Sequence, residues 1–141
     1  MTVVITDEAR RYLGVFEDVT GTPGRDCVVD EEFDRLLIVV APEDMAEAIG
    51  PGGQHIQRFE ERVGTGVSLV EYADEPEAFV ANALEPAAVY HVTLSENDDL
   101  VAYAEVDSAD RGAAIGAGGE NIAAARLLAK RHFGIDEIEL A

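Results

Sequence analysis

The chain has 141 residues, of which 48% are apolar, and it carries a formal net charge of −19. This length and apolar content suit one ordinary domain or two small ones, and no apolar run is long enough to cross a membrane as a helix. The 29 acidic residues are dispersed along the chain, which is not the pattern of a disordered acidic tail.

The basic residues and the cysteine indicate the environment of the protein. Lys130 is the only lysine, and every other basic residue is Arg. A dispersed acidic surface nearly free of lysine resembles the proteins of halophiles, because molar salt screens its self-repulsion. A basic partner is the alternative explanation. Cys27 is the single cysteine, and residues 1–11 lack the pattern of a secretory signal, so we expect a cytoplasmic protein without an internal disulfide.

The first half of the chain predicts the order helix, strand, strand, helix, loop, helix, strand. Thr6 is a suitable N-cap for the first helix, and Gly64 is a suitable C-cap for the last. The wholly apolar run at 36–40 indicates a strand that is central or buried on both faces. The predicted helices span residues 6–19, 43–49 and 54–63, and the predicted strands span residues 27–30, 35–40 and 67–72.

The second half of the chain predicts the same order of elements. The short segment 73–76 is the only plausible linker, so we place the first domain at residues 1–73 and the second at residues 74–141. Ser108 is the expected N-cap of the short helix in this half. The predicted helices span residues 76–84, 108–115 and 120–132, and the predicted strands span residues 88–94, 100–106 and 138–140.

Two stretches, residues 49–56 and 115–122, share the pattern Ile-Gly-x-Gly-Gly-x-x-Ile. Glycine permits positive φ angles and close approach of a ligand to the backbone. Each loop also opens into a helix N-terminus, where backbone N–H groups and the macrodipole attract an anion. The pattern therefore predicts contact with the sugar–phosphate backbone of a nucleic acid, and the flanking isoleucines are expected to line a groove for the bases.

A helix, a Gly-x-x-Gly loop and a second helix with flanking isoleucines resemble the KH domain, whose loop clamps about four nucleotides of a single strand. The order of elements resembles the type II form. Two such units joined by a short linker resemble the archaeal members of the NusA family of transcription factors, and the resemblance covers essentially the whole chain. It implies an α+β fold of two tandem type II KH units, each a three-stranded sheet covered by helices.

The resemblance also implies the function and the residues of the site. It implies non-catalytic binding of single-stranded RNA in transcription elongation, termination or antitermination. Polymerase contact is not carried over from the resemblance, and RNA polymerase or a transcription complex is a separate expectation for a partner. The RNA-binding residues expected in the first unit are Ile49, Gly50, Pro51, Gly52, Gly53, Gln54, His55, Ile56, Arg58 and Arg62. Those expected in the second unit are Ile115, Gly116, Ala117, Gly118, Gly119, Asn121, Ile122 and Arg126.

The two sites are expected to be unequal. Neither loop has the Lys or Arg that many KH loops carry at their two middle positions, and Glu120 directly follows the second loop. Arg58 and Arg62 lie one turn apart on the helix after the first loop, which is therefore the stronger candidate. The second loop has the alternative of a purely structural role. Without basic residues in the loops, we expect RNA binding to rely on backbone N–H groups and isoleucines, and to resist molar salt.

Other functions are less consistent with the sequence. Neither loop contains the Lys and the Ser or Thr of a nucleotide-binding P-loop, and Glu43, Asp44 and Glu47 fit the first turns of a helix better than a metal site. We predict no enzyme activity, cofactor, metal or membrane association, and we expect a monomer. A KH protein of RNA processing or of the ribosome is one alternative. An acidic adaptor that docks onto the transcription machinery is another.

Overall fold

The first unit is organised around strand β2, Arg35–Val40, which lies between two other strands. The computed structural model describes residues 3–141, so Met1 and Thr2 of the predicted first domain lie outside the described residues. The first unit covers Val4–Tyr72. Its other elements are α1 (Asp7–Thr20), β1 (Asp26–Asp30), α2 (Met45–Ile49), α3 (Gln54–Val63) and β3 (Gly66–Glu71).

The second unit, Ala73–Ala141, repeats this order. Its elements are α4 (Pro76–Ala83), β4 (Val89–Glu96), β5 (Leu100–Val106), α5 (Arg111–Ile115), α6 (Glu120–Phe133) and β6 (Glu137–Leu140). In both units a short 3₁₀ turn precedes the short helix, and another separates it from the long helix that follows. The α+β class and the order of elements predicted for each half are confirmed.

The two three-stranded sheets have the same topology. In each unit the first two strands form an antiparallel hairpin, and the last strand pairs parallel to the second. The last strand is therefore an edge strand, β3 in the first unit and β6 in the second. In the parallel pairs, Val67 lies beside Leu36 and Ile138 lies beside Ala102.

The core of the first unit forms where α1 and α3 pack on one face of the sheet. Phe16 from α1 and Phe59 from α3 are fully buried, and their rings meet edge to face at a centroid distance of 5.2 Å. The alternate β2 residues Leu36, Ile38 and Val40 belong to the same cluster. Because Leu37 and Val39 are fully buried as well, β2 is buried on both faces, as its unbroken apolar run predicts.

The core of the second unit uses smaller residues. Ala102 and Ala104 are fully buried on β5, at the positions that Leu36 and Ile38 occupy on β2. The facing helix α6 contributes Leu128 and several buried alanines, and Ile138 from β6 is fully buried. The same fold therefore tolerates different side-chain volumes in its two copies.

The helix ends agree with the sequence at some positions and differ at one. The Thr6 hydroxyl accepts a hydrogen bond from the Ala9 N–H at 3.1 Å, and Gly64 ends α3 with φ of 75°, as predicted. The predicted cap at Ser108 is wrong. The carboxylate of Asp107 caps this turn instead, by accepting a hydrogen bond from the Ala109 N–H at 2.9 Å. Asp107 lies one residue before Ser108, and Asp is as good a capping residue as Ser.

The edge-to-face contact of Phe59 with Phe16 leads to a stability prediction. We expect Phe59→Ala to lower the free energy of unfolding by about 3–5 kcal/mol, since it leaves a cavity in a closed core. Urea unfolding followed by circular dichroism in molar KCl measures this loss. Arg58→Ala on the exposed side of the same helix is the control, with an expected change within about 0.5 kcal/mol. Equal losses in the two variants would contradict this account of the core.

Asp136, in the turn before β6, leads to a prediction for acid pH. The Lys130 ammonium and the Leu100 N–H both donate to its carboxylate, and these bonds lower the pKa of Asp136 below its usual value. A pKa lowered by folding means that the ionised form stabilises the fold above the usual pKa, and this contribution disappears as the pH falls through the lowered value. The unfolding midpoint of Asp136→Asn should therefore fall less steeply than that of wild type below about pH 4.

Candidate nucleic-acid interface

The two glycine loops, loop 1 (residues 50–53) and loop 2 (residues 116–119), have the same backbone conformation. Gly50 has φ of 77° and ψ of 170°, and Gly116 has φ of 79° and ψ of 172°. The later glycines of each loop lie in the left-handed region, at φ between 60° and 83°. This agreement shows that the shared sequence pattern of the two halves forms the same local backbone structure.

The first glycine of each loop is required by a close contact as well as by its φ. A Cβ at Gly50 would lie 2.5 Å from Cγ of His55, and a Cβ at Gly116 would lie 2.8 Å from the backbone nitrogen of Asn121. His55 and Asn121 thus occupy the same place beneath the two loops. A side chain on either glycine would separate the loop from the helix that follows it.

The side chains of His55 and Asn121 are both used to hold the chain itself. Nδ1 of His55 is hydrogen-bonded to the Glu47 carbonyl oxygen at 2.6 Å. Nδ2 of Asn121 donates to the carbonyl oxygens of Ala114 at 3.1 Å and Leu84 at 3.2 Å. The structure therefore gives both predicted RNA contacts a positioning role, in which they tie the start of the long helix to the preceding helix.

The loop N–H groups are only partly free to face a ligand. Those of Gly53 and Gly119 donate to the carbonyl oxygens of Gly50 and Gly116, at 3.0 and 3.1 Å. The N–H groups of Gln54 and Glu120, the first residues of α3 and α6, donate to the third residue before them. An anion would therefore meet the two exposed middle positions, which are Pro51 and Gly52 in loop 1 and Ala117 and Gly118 in loop 2.

The isoleucines of each motif lie in two different environments. Ile49 and Ile115, which precede the loops, are 40% and 39% exposed and offer apolar surface to a ligand. Ile56 packs against the core of the first unit, and Ile122 is buried, with 6% of its surface exposed. The second isoleucine of each motif therefore mainly anchors the long helix, although Ile122 also contributes to the floor of the groove described next.

A groove of about 410 Å³ lies beside loop 2, between α5, α6 and the edge strand β6. Its walls carry two arginines that bind the carbonyl oxygens of β6. Nη2 of Arg126 donates to Ile138 O at 3.2 Å and Nη2 of Arg111 donates to Leu140 O at 3.4 Å, while Nε of Arg126 pairs with Glu137 at 2.6 Å. The other lining residues are Ile115, Ile122, Glu139 and Leu140.

Arg111 was missed by sequence reasoning, although a signal for it was present. It stands four residues before Ile115 on a helix, and residues four apart share one helical face. Arg126 lies four residues after Ile122 on α6 and shares a helical face with it in the same way. The two arginines therefore flank the two isoleucines of the motif, on the side where β6 lies.

The matching positions of the first unit carry no arginine. Met45 begins α2 as Arg111 begins α5, and Glu60 follows Ile56 by four residues as Arg126 follows Ile122. Oε2 of Glu60 accepts the N–H of Val67 at 3.0 Å, whereas Arg126 donates to the corresponding residue of β6, Ile138. The side chain that binds the edge strand is therefore a hydrogen-bond acceptor in the first unit, Glu60, and a hydrogen-bond donor in the second, Arg126.

Arg58 and Arg62 lie along α1. Arg62 shares one cleft with Glu8, Arg11, Tyr12 and Val15, and it shares another with Arg58, Asp18, Val19 and Glu61. Each of these arginines is two residues from Glu60 along α3. Two residues correspond to a rotation of about 200° around a helix, so both arginine side chains point away from the side on which Glu60 meets the edge strand. Ile49 lines neither of these two clefts, and both arginines lie on the side of α3 away from the position that corresponds to the groove of the second unit.

Within residues 3–141 no group of three or more His, Cys, Asp or Glu side chains is arranged to hold a metal ion. In the same part of the chain, none of the helices has both the length and the apolar character needed to span a membrane.

Two α+β units of type II topology, each with a Gly-x-x-Gly loop between two helices, define a tandem KH protein. A family model of the NusA-like second KH domain matches residues 76–141. The chain is 55% identical over 141 residues to a probable transcription termination protein NusA of Halococcus morrhuae, covering 100% of both chains. The chain therefore belongs to the NusA family, as the sequence resemblance predicts.

Further comparisons agree with this assignment. The protein of the same description from Halobacterium salinarum is 52% identical over 140 residues, with 99% of both chains covered. A solved structure described as "Crystal structure of APE1850" matches with a TM-score of 0.88 and 34% identity, covering 97% of this chain and 100% of that one. The Halococcus and Halobacterium relatives are described as probable transcription termination proteins, in agreement with the prediction that the chain is not an enzyme.

The two kinds of loop glycine lead to a prediction. Gly116→Ala places a Cβ against the fixed backbone of Asn121, so we expect a loss of about 3 kcal/mol in the free energy of unfolding. Gly118→Ala meets no atom within 4 Å and should cost only about 1 kcal/mol, from its left-handed φ. Thermal unfolding of the matched pair in molar KCl tests the difference, and equal losses would show that the close contact is unimportant.

Proposed function

We propose that this protein binds single-stranded RNA without catalysis, through the two Gly-x-x-Gly loops and the grooves beside them, and that it acts on transcripts during transcription. The observation that carries the proposal is the shared conformation of loops 1 and 2, which exposes both middle residues at the start of a long helix. We take residues 1–73 and 74–141 as the two KH domains.

The chemistry of the loops suits the backbone of RNA. Apart from the adjoining residues of the loop, no heavy atom lies within 4 Å of the positions where Gly52 and Gly118 would carry a Cβ, so a phosphate can approach the chain closely. The positive ends of the α3 and α6 dipoles favour that anion. Ile49 and Ile115 then offer half-exposed apolar surface on which bases can lie.

Transcription is supported by the relatives. Those with the highest identities cited above are described as probable transcription termination proteins, and a Bacillus subtilis relative is described as a transcription termination/antitermination protein. We therefore propose that the RNA is a nascent transcript and that the transcription complex is the wider partner. The strongly acidic surface fits a protein that works at high salt, where diffuse attraction to phosphates contributes little.

Placing a negative charge in the loops tests RNA binding. We expect Gly52→Asp combined with Gly118→Asp to weaken binding of a fluorescein-labelled pool of short random-sequence RNA by more than about tenfold, because the carboxylates repel phosphate. Asp tolerates the left-handed φ of both positions better than most residues, so the fold should persist. Fluorescence anisotropy in molar KCl is the measurement.

The matched control is Gly14→Asp, which adds the same carboxylate in the middle of α1, where a Cβ meets no atom within 4 Å. Its RNA affinity should stay within about twofold of wild type. If the loop variant keeps its RNA affinity but loses binding to purified RNA polymerase, the acidic adaptor is the correct function and the proposal fails.

A further inference from the structure

We infer that the second unit is the principal site for the RNA backbone, and that Arg111 and Arg126 in its groove bind phosphate groups, while the first unit lacks these donors. The inference rests on the proposed function and deepens it by ranking the two sites. It reverses the order expected from the sequence, which favoured the first loop because of Arg58 and Arg62.

The first argument comes from the groove walls. A phosphate oxygen is only an acceptor, so it needs donors around it, and a guanidinium group has five N–H donors in a planar fork. Arg126 directs its Nε–H to Glu137 and one Nη2–H to Ile138 O, which leaves donors for a ligand on a side chain that is 48% exposed. Arg111 is held by a single 3.4 Å bond to Leu140 O.

The matching wall of the first unit presents the opposite chemistry. Glu60 stands where Arg126 stands, and its carboxylate can only accept hydrogen bonds and repels phosphate. Met45 replaces Arg111 and offers no N–H donor from its side chain. RNA bound in the same way by each unit would therefore find donors in the groove of the second unit and an acid at the matching position of the first.

The second argument is independent and comes from the loops. Because the N–H groups of the last loop glycines are bound within the loops, the two middle positions must supply the backbone donors for a phosphate. Loop 1 has Pro51 at the first of these positions, and proline has no N–H. Loop 2 has Ala117 there, so it presents one more backbone donor.

The acids near the second groove do not remove this difference. Glu137 is neutralised by its ion pair with Arg126, and Glu139 faces the groove from β6. Glu120 begins α6 where Gln54 begins α3, so the second loop carries one acid that the first lacks. The ranking rests on the number and direction of the hydrogen-bond donors, since the net charge near the two loops differs little.

The test compares single substitutions in the full chain, with the same random-sequence RNA pool and anisotropy in a KCl series. Arg126→Gln and Arg111→Gln should each weaken binding by about tenfold, the value of a charged hydrogen bond. Arg10→Gln is the matched control: it removes the same charge from the exposed surface of α1, and we expect a change within about twofold. Arg62→Gln removes a charge that the sequence assigns to the first site, and we expect a smaller loss from it than from Arg126→Gln. Gly118→Asp should weaken binding more than Gly52→Asp.

The salt dependence separates a phosphate contact from a structural effect. Loss of one phosphate contact should reduce the slope of log affinity against log salt by about 0.7, whereas a variant that only loosens β6 keeps the wild-type slope. Glu60→Gln should raise affinity, because it removes the carboxylate from the first groove.

Three results would overturn the inference while leaving RNA binding intact. They are equal losses for Gly52→Asp and Gly118→Asp, a larger loss for Arg62→Gln than for Arg126→Gln, and wild-type slopes for both groove variants. A wild-type protein that binds no RNA at any salt concentration is a different result, because it removes the proposed function itself. Should Arg126→Gln fail to fold, Arg111→Gln and the two loop variants still decide the ranking.

Discussion

The parallel pairing of the last strand with the central strand is the constraint on which each unit depends. It places β3 and β6 at the edge of their sheets, directly beside the long helix that follows the glycine loop. An exposed strand edge presents unpaired backbone groups that need partners. The residue four positions after the second isoleucine supplies one, Glu60 to an N–H and Arg126 to a carbonyl oxygen. The identity of this residue, Glu or Arg, therefore also decides whether the side chain beside the edge strand accepts or donates hydrogen bonds.

The loops show how one sequence motif combines two requirements. The first glycine is needed for packing, since His55 or Asn121 lies directly beneath it and binds the preceding helix. The later glycines are needed for a left-handed backbone with open space above it. The first requirement makes the loop rigid, and the second leaves room for a ligand. A rigid backbone that exposes N–H groups loses little conformational entropy when it binds, which matters most where salt weakens charge attraction.

Duplication has allowed the two units to diverge in their cores and in their grooves. The first unit fills its core with Phe16, Phe59 and large β2 residues, and the second uses alanines on β5 and α6. Both solutions keep the order of elements and the loop conformation, because the strand order of the sheet and the positive φ angles of the loop glycines are the same in the two units. The groove residues are exposed and contribute little to the core, so they can change without loss of the fold.

The sequence alone determined the repeat, the order of elements and the loop conformation, because glycine placement, apolar periodicity and capping residues act over a few neighbouring positions. It also determined the family, since the motif and the order of elements occur together. Only the tertiary structure decided which face of each helix meets the edge strand. Spacing along the chain assigns Arg58 and Arg62 to the first site and does not single out Arg111, whereas the structure places Arg111 in the groove beside β6. Side chains two residues apart on a helix point to nearly opposite sides. The sequence pattern alone does not show which side meets the edge strand, because that depends on how the helix packs against the sheet.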